Sequence, residues 1–497
     1  MKHRTSNIEF QTSNTNNCAY LNALRRSAFG VRRSMFLIVI LFTAGCARFH
    51  PQPISPAKTA AAFDARSLTN DNLHAFLETN HVIGEWPRRS WDLNALTFVA
   101  FYYQPALAEA RAQWASAQAA IITAGQRPNP TLSATPGYDS QIPGNFSPWL
   151  VNANLDLPIE TAGKRGKRIA VASHLSEAAH WDFVAAAWQT RSHVRMALLN
   201  LYAARESESL LARQESAQSN VVRLLEGQLA AGAVSDFEVA QARVALNTTR
   251  LSRQDAIGQL GQARVQLADA LGLPVQAMEG NEFSFAGLDQ FPTALTEPEV
   301  RRQALLNRAD VRGALASYAA SQSALQLEIA NQYPDIHLGP GYGWNTGNAG
   351  DNEWTLGVTL ELPVLNQNQG PVAEARASRA AAAAHFLTVQ TTAIAEIDSA
   401  LAGYNATLQK SATAGALLED LQRQLDSVRS QEQTGEVDPL TLANAESDYT
   451  TGAQSRLDAL VKAQQAFGQL EDAVQSPLTL SPATLKAMEQ HFSRGAK

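Results

Sequence analysis

Three groups of residues in this 497-residue chain have types and spacings that could carry chemistry. The first is Thr43-Ala44-Gly45-Cys46, small residues running into a thiol, preceded by Arg25, Arg26, Arg32 and Arg33 and by the apolar run Met35 to Phe42. Such a run is too short to cross a ~30 Å bilayer as a helix, so it reads as the core of a secretory signal. The small residues before Cys46 resemble a bacterial lipobox, in which the cysteine is acylated and becomes the first mature residue. Thr43 stands where leucine is usual, and Ala47 fits the rule that sorts lipoproteins to the outer membrane. A cleaved signal with an incidental cysteine is the alternative. The second group is His174, His180 and His193, whose spacing does not bring all three to one helix face; no metal site is expected there. The third is the glycine-rich stretch Gly339 to Gly350, which no helix follows, so it reads as a loop and not a phosphate cradle. No Gly-x-Ser-x-Gly, Walker or zinc-protease motif is present. The chain is expected to be no enzyme and to carry no cofactor.

Composition narrows the classes further. Hydrophobic residues make up 45% and charged ones 17%, so a folded chain is expected. Net charge is −6 and the pI is near 6.0, against a nucleic-acid partner. Cys18 and Cys46 are the only cysteines, which leaves no disulfide framework for the body. Beyond the leader no apolar run is long enough for a membrane helix, so any crossing would be made by strands.

The elements that position these residues come twice. PTLSATPGY at Pro130 to Tyr138 returns 204 positions later as PDIHLGPGY at Pro334 to Tyr342. LDLP (Leu155 to Pro158) returns as LELP (Leu360 to Pro363), and Gly232-Ala-Val-Ser-Asp236 as Gly435-Glu-Val-Asp-Pro439. Each half reads helix, two strands, long helix, glycine turn, helix. The expected divisions are a signal with N-terminal extension at 1–45, a lipidated segment at 46–90, repeats at 91–290 and 291–475, and a tail at 476–497. Hairpins fall at 130–158 and 334–363, and turns at 232–238 and 435–441. The strands alternate: Trp149, Val151, Ala153, Leu155 and Leu157 share a face opposite Asn152, Asn154 and Asp156, as Trp354, Leu356 and Val358 do opposite Glu353, Thr355 and Thr359. A half-buried soluble sheet gives the same pattern; the export signal tilts the reading to membrane strands. Gly166 to Ala231 and Gly370 to Thr434 read as helices of roughly 95 Å at about 1.5 Å per residue. Ser235 to Leu271 and a single helix from Glu297 to Gln332 are expected to stack end to end beside them.

Four strands cannot close a barrel alone; two chains would give eight and three would give twelve. The duplicated order, the proline-flanked hairpins, LDLP/LELP and the glycine turns resemble the TolC-type outer-membrane efflux proteins over about residues 91–475. The resemblance implies a mainly α fold with a membrane β-barrel contribution: a homotrimer with a twelve-stranded barrel in outer-membrane lipid and a helical tunnel in the periplasm. It implies a duct whose tip meets a periplasmic adaptor (membrane fusion protein) and an inner-membrane pump. The tip carries over to Gly232, Ala233, Val234, Ser235, Gly435, Glu436, Val437 and Asp438, with simple helix capping as the alternative role. Thr441 and Asn444 stand where family members narrow the tunnel with acids; Glu238 and Asp438 are the other gate candidates. Trp149 and Trp354 would mark a membrane interface, toward which Lys164, Arg165, Lys167 and Arg168 would snorkel. Glu160 to Arg168 is similar to the Gly-Lys-Arg segment of the cation-efflux (CzcC-like) branch, which points to heavy-metal cations. Drug or other small-molecule efflux, or type I secretion, is the alternative, and a lipid-anchored periplasmic coiled-coil scaffold is the second.

Overall fold

The computed structural model describes residues 48–82, 84–138, 140–141, 149–292, 297–345 and 351–478. The leader, the lipobox and Cys46 lie outside the described residues. Helix α1 is Pro56–Asp64 and α2 is Asp71–Thr79, the latter begun by Asn70, whose side chain accepts from the Asn72 and Leu73 amides. A short strand β1 (Ser90–Trp91) leads into the first repeat: α3 (Leu93–Tyr103), α4 (Pro105–Ala124), β2 (Thr131–Tyr138), β3 (Trp149–Ile159), α5 (Lys164–Ala230) and α6 (Asp236–Leu271). Strand β4 (Glu282–Phe283) pairs parallel with β1. The second repeat is α7 (Glu297–Asn307), α8 (Ala309–Ala330), β5 (Ile336–Asn345), β6 (Asp351–Leu360), α9 (Gln369–Gln433) and α10 (Pro439–Val474).

Both long helices start and stop within two residues of the sequence reading. One expectation is corrected: Glu297 to Gln332 is two helices, because Arg308 is extended (φ −59°, ψ 126°) between α7 and α8. Its side chain stays there because it is spoken for. Arg308 donates to the Ala473 carbonyl at the end of α10 and pairs with Asp310 and Glu396, each at about 2.6–2.7 Å. The first repeat has the corresponding joint with Gln104 at the position of Arg308: Gln104 Nε2 donates to the Asp269 and Ala270 carbonyls, and Arg66 Nη1 to those of Tyr103 and Gly272. Each joint satisfies the orphan carbonyls of a helix end and stacks one short helix on another.

The helices therefore stand in four columns. α4 over α6 flanks α5, α5 flanks α8 over α10, and those flank α9. The strands follow the same order, β2-β3-β5-β6, all antiparallel. Small residues dominate the column contacts, such as Ala187, Ala197, Ala204 and Ala217 of α5 and Ala443, Ala453, Ala459 and Ala463 of α10, so the helices approach closely and no wide core forms. The largest apolar cluster sits at the waist, where Leu73, Leu77, Trp91, Leu96 and Val99 pack on Val194, Leu198, Leu267 and Leu271.

At the same level α5 and α10 are joined through buried charge. Glu471, 1% exposed, accepts from Arg191 at 3.2 Å, lies 3.5 Å from Arg195, and takes the Leu478 amide at 2.9 Å. Burial lowers the Arg195 guanidinium pKa, and Glu471 opposes that shift.

Candidate functional site

Strand register builds a sheet with one polar and one apolar face. Across β2–β3, Thr131, Ser133 and Thr135 oppose Asp156, Asn154 and Asn152, while Leu132, Ala134 and Tyr138 oppose Leu155, Ala153 and Trp149. Across β5–β6, His337 and Gly341 oppose Thr359 and Thr355, while Leu338, Pro340 and Tyr342 oppose Val358, Leu356 and Trp354. The central β3–β5 pairing sets Ala153 against Tyr342 and Asn154 against Gly341, so like faces coincide across all four strands. Among the described residues nothing covers the apolar face: Leu132 is 70% exposed, Leu356 74% and Trp354 80%. Tyr138–Trp149 and Tyr342–Trp354 form ring pairs, 5.3 and 4.8 Å between centroids, toward the end of the sheet away from the helices.

The polar face is sparsely furnished. Gly339, Gly341 and Gly343 leave β5 bare, and a Cβ at Gly343 or Gly341 would stand 3.0 or 3.3 Å from the amide oxygens of Asn152 or Asn154. Nearer the helices, His337 Nδ1 lies 3.0 and 3.1 Å from the two Asp156 oxygens. This cross-strand pair was missed in the sequence, although both residues fall on polar positions.

At the other end of the columns lie the two glycine turns. Gly232 (φ 73°) and Gly435 (φ 77°) end α5 and α9 in the left-handed region, and the Ala233 and Glu436 amides reach back to the Gln228 and Gln431 carbonyls. This is the Schellman closure that glycine permits. Val234 and Val437 are half-buried; Ala233, Ser235, Glu436 and Asp438 are exposed. Ser235 caps α6 in a capping box with Glu238, whose carboxylate accepts from the Ser235 amide at 2.8 Å and its hydroxyl at 3.0 Å. Asp438 caps α10, accepting from the Thr441 hydroxyl at 2.5 Å and its amide at 2.9 Å. Bonds from the Ser235 amide, then its hydroxyl, hold the Glu238 carboxyl below its usual range. The Thr441 hydroxyl, then its amide, do so for Asp438. Three of the four gate candidates are thus tied into caps. Glu238 and Asn444 both line a cleft of about 410 Å³ between α5, α6 and α10, with Leu225, Gln241, Ala245 and Leu440; Asp438 and Thr441 bind each other instead.

Above both turns a cross-helix ion pair recurs with its charges exchanged. Glu226 of α5 meets Arg243 of α6 at 2.6 Å, and Arg429 of α9 meets Glu446 of α10 at 3.5 Å. The pairs are 203 positions apart, the offset of the glycines themselves, and that shared offset was the signal that could have found them.

The basic segment at the sheet–helix junction is more engaged than snorkelling would require. Lys164 pairs with Asp335 at 2.8 Å, and Arg168 binds Glu160 with both terminal nitrogens. Arg165 donates to the Gly125 carbonyl at the end of α4. Lys167 is half-buried. Among the described residues no group of histidine, cysteine and acidic side chains could hold a metal through three ligands. His174 lies beside Glu177 and His180 against Trp114.

The wall and the sheet each end on two unlike edges. Among the described strands, β2 and β6 each lack a neighbour on one side. α6 buries Val239, Leu246, Ala256, Ala263 and Leu267, yet exposes a second stripe at sevenfold spacing, Phe237, Val244, Leu251 and Val265, each more than half exposed. A helix apolar on two opposite sides is built to be packed on both.

The model of the family described as "Outer membrane efflux protein" matches residues 102–273 and 300–474, one segment in each repeat. The chain is 27% identical over 260 residues to the cobalt-zinc-cadmium resistance protein CzcC of Cupriavidus metallidurans, covering 51% of this chain and 59% of that protein. It is 27% identical over 297 residues to the pyoverdine export outer membrane protein OpmQ of Pseudomonas aeruginosa, covering 56% and 62%. In both cases it spans less than two thirds of the relative's own length. The solved CmeC outer membrane channel of Campylobacter jejuni shares its fold, with a TM-score of 0.63 at 18% identity over 80% of this chain and 89% of that one. So does the outer membrane protein VceC of Vibrio cholerae, with a TM-score of 0.63 at 19% identity over 77% and 96%. The TolC-type resemblance is thereby borne out: with both repeats matched over most of their length, the chain belongs to the outer membrane efflux protein family.

Proposed function

We propose that the protein is the outer-membrane duct of a tripartite efflux system, closed from three copies into a twelve-stranded barrel above a helical tunnel. The observation that carries this is the pair of unlike open edges. Strand direction alternates along β2-β3-β5-β6, so β6 of one copy set beside β2 of the next continues antiparallel pairing. Column α4/α6 would meet α9 of the neighbouring copy in the same way, covering the exposed stripe of α6. Contacts between unlike edges run head to tail and generate closed rings when the rotation closes. Eight strands leave an interior that side chains fill, whereas twelve leave a lumen, which favours three copies.

In this assembly Trp149 and Trp354 face lipid near one bilayer interface, and Asn152, Asn154, Thr355 and Thr359 line the passage. The turns at 232–238 and 435–441 form the periplasmic tip and meet an adaptor, through which an inner-membrane pump delivers cargo. Acylated Cys46 adds a lipid anchor. Heavy-metal cations are the cargo favoured by the CzcC likeness and by the basic segment 164–168. Small-molecule export is the second reading, on the OpmQ likeness at equal identity. A lipid-anchored scaffold leaves the uncovered apolar sheet face without purpose.

Gel electrophoresis of outer-membrane extracts, with and without boiling, tests the proposal. A heat-modifiable band of three chains that persists in Cys46→Ser is expected. A monomer that Cys46→Ser releases from the membrane would overturn it.

A further inference from the structure

We propose that His337, oriented by Asp156, is a stepping site for a divalent transition-metal cation on the polar face of the strand sheet. The inference rests on that face being the lumen of the proposed duct. The four strands contain no lysine or arginine. Asp156, His337 and Glu353 all fall on the polar face, so no fixed positive side chain on it repels a cation. Both Asp156 oxygens lie within 3.1 Å of His337 Nδ1. A carboxylate that accepts from Nδ1–H fixes the donor there and leaves Nε2 as the ring nitrogen facing a metal. This is the arrangement by which a carboxylate orients a metal-binding imidazole and raises its basicity.

Both side chains are about two-fifths exposed, at 41% and 43%. Gly339, next along the same face of β5, adds no side chain, which leaves room for the waters that would complete a coordination shell. Imidazole selects zinc, cobalt, nickel and copper over the hard alkaline-earth ions. One imidazole per chain binds weakly, as a conduit needs, because a site on a passage must release what it takes. The competing role is a pin that sets the register between the two hairpins, since Asp156 is on β3 and His337 on β5.

Full-length protein in detergent, titrated with cobalt(II) chloride and followed by calorimetry and ligand-field absorption, separates the two. Wild type should show saturable binding of one cobalt per chain. His337→Gln should abolish it while leaving the heat-resistant oligomer intact, and Asp156→Asn should weaken it by about tenfold or more. His174→Gln, a control on the helical wall, should change nothing. Cobalt binding that survives His337→Gln would overturn the proposal, and so would its loss only together with the oligomer, which identifies a register pin. Asn154→Cys, probed with a membrane-impermeant maleimide, keeps the two readings apart. A labelled cysteine without cobalt binding at His337 defeats this inference alone; an unlabelled one defeats the lumen assignment beneath it.

Discussion

Replacing Glu471 with leucine removes the one carboxylate that holds two guanidiniums inside the waist. Arg191 and Arg195 are 11% and 8% exposed at the side chain, against 1% for Glu471. Breaking a buried pair by deleting one partner costs about 3–5 kcal/mol, most of it from the charge left behind. Here the remaining partners set where in that range the effect falls. Arg195 keeps the Gln464 carbonyl at 2.8 Å and the Phe467 ring at 5.2 Å, and Arg191 keeps the Trp188 ring at 4.9 Å. Against this, the Leu478 amide loses its acceptor, a loss of about 1 kcal/mol. The sum is expected near the lower middle of the range, roughly 3–4 kcal/mol. Urea unfolding followed by far-UV circular dichroism reads it as a lowered midpoint. Adding Arg191→Met and Arg195→Met to Glu471→Leu should restore most of the loss, because an apolar replacement of a whole buried ion cluster is close to neutral. A Glu471→Leu midpoint equal to wild type would refute the reasoning, as would a triple variant weaker than the single one.

Gly232→Val or Gly435→Val should cost about 1–2 kcal/mol through positive φ alone, since a Cβ at either site meets nothing within 4 Å. The variants should assemble in the outer membrane yet lose export, which a metal- or drug-sensitivity assay with a membrane-extract gel would detect. The Glu238 and Asp438 carboxyls titrate lower in the folded chain than in the unfolded one. The stability they add is therefore present above about pH 4 and lost as pH falls through the lowered folded values; hydrogen exchange at the Glu238 and Thr441 amides should quicken in that acid window and not above it. Cysteines at Asn152, Asn154, Thr355 or Thr359 should react with a water-soluble maleimide while Val151, Ala153, Leu356 and Val358 do not, and the opposite pattern would turn the sheet inside out. Mass spectrometry of the mature N-terminus should find lipid on Cys46.

Period-two alternation, proline flanks and glycine turns are local signals, and they placed the hairpins, both long helices and the two left-handed turns within three residues. The break at Arg308 escaped because it depends on partners far along the chain. Gln104 is followed by Pro105, which announces a helix start, whereas Arg308 is followed by Ala309, which announces nothing. Only the 204-position correspondence between the joints could have exposed it. The same holds for Lys164: its charge suggested headgroups, but Asp335, 171 positions on, comes within reach only once the strands are in register, while Arg168 meets Glu160 where β3 turns into α5. The carboxylates of Glu238 and Asp438 read as charges available to a gate, and local backbone amides claim them first.

α5 and α9 differ in length, 67 residues against 65. Two residues amount to about 3 Å of rise and about 200° of rotation along a regular helix. The left-handed residues that open these helices, Gly163 and Asn368, are 205 positions apart, while the glycines that close them are 203 apart. Sheet ends and turn ends therefore cannot be superposed by a single rotation. Were the halves equal, three chains would offer six interchangeable arms. With this offset the likeness of the halves belongs to each end separately, and in the proposed trimer the passage between them would be threefold, its alternate walls out of step.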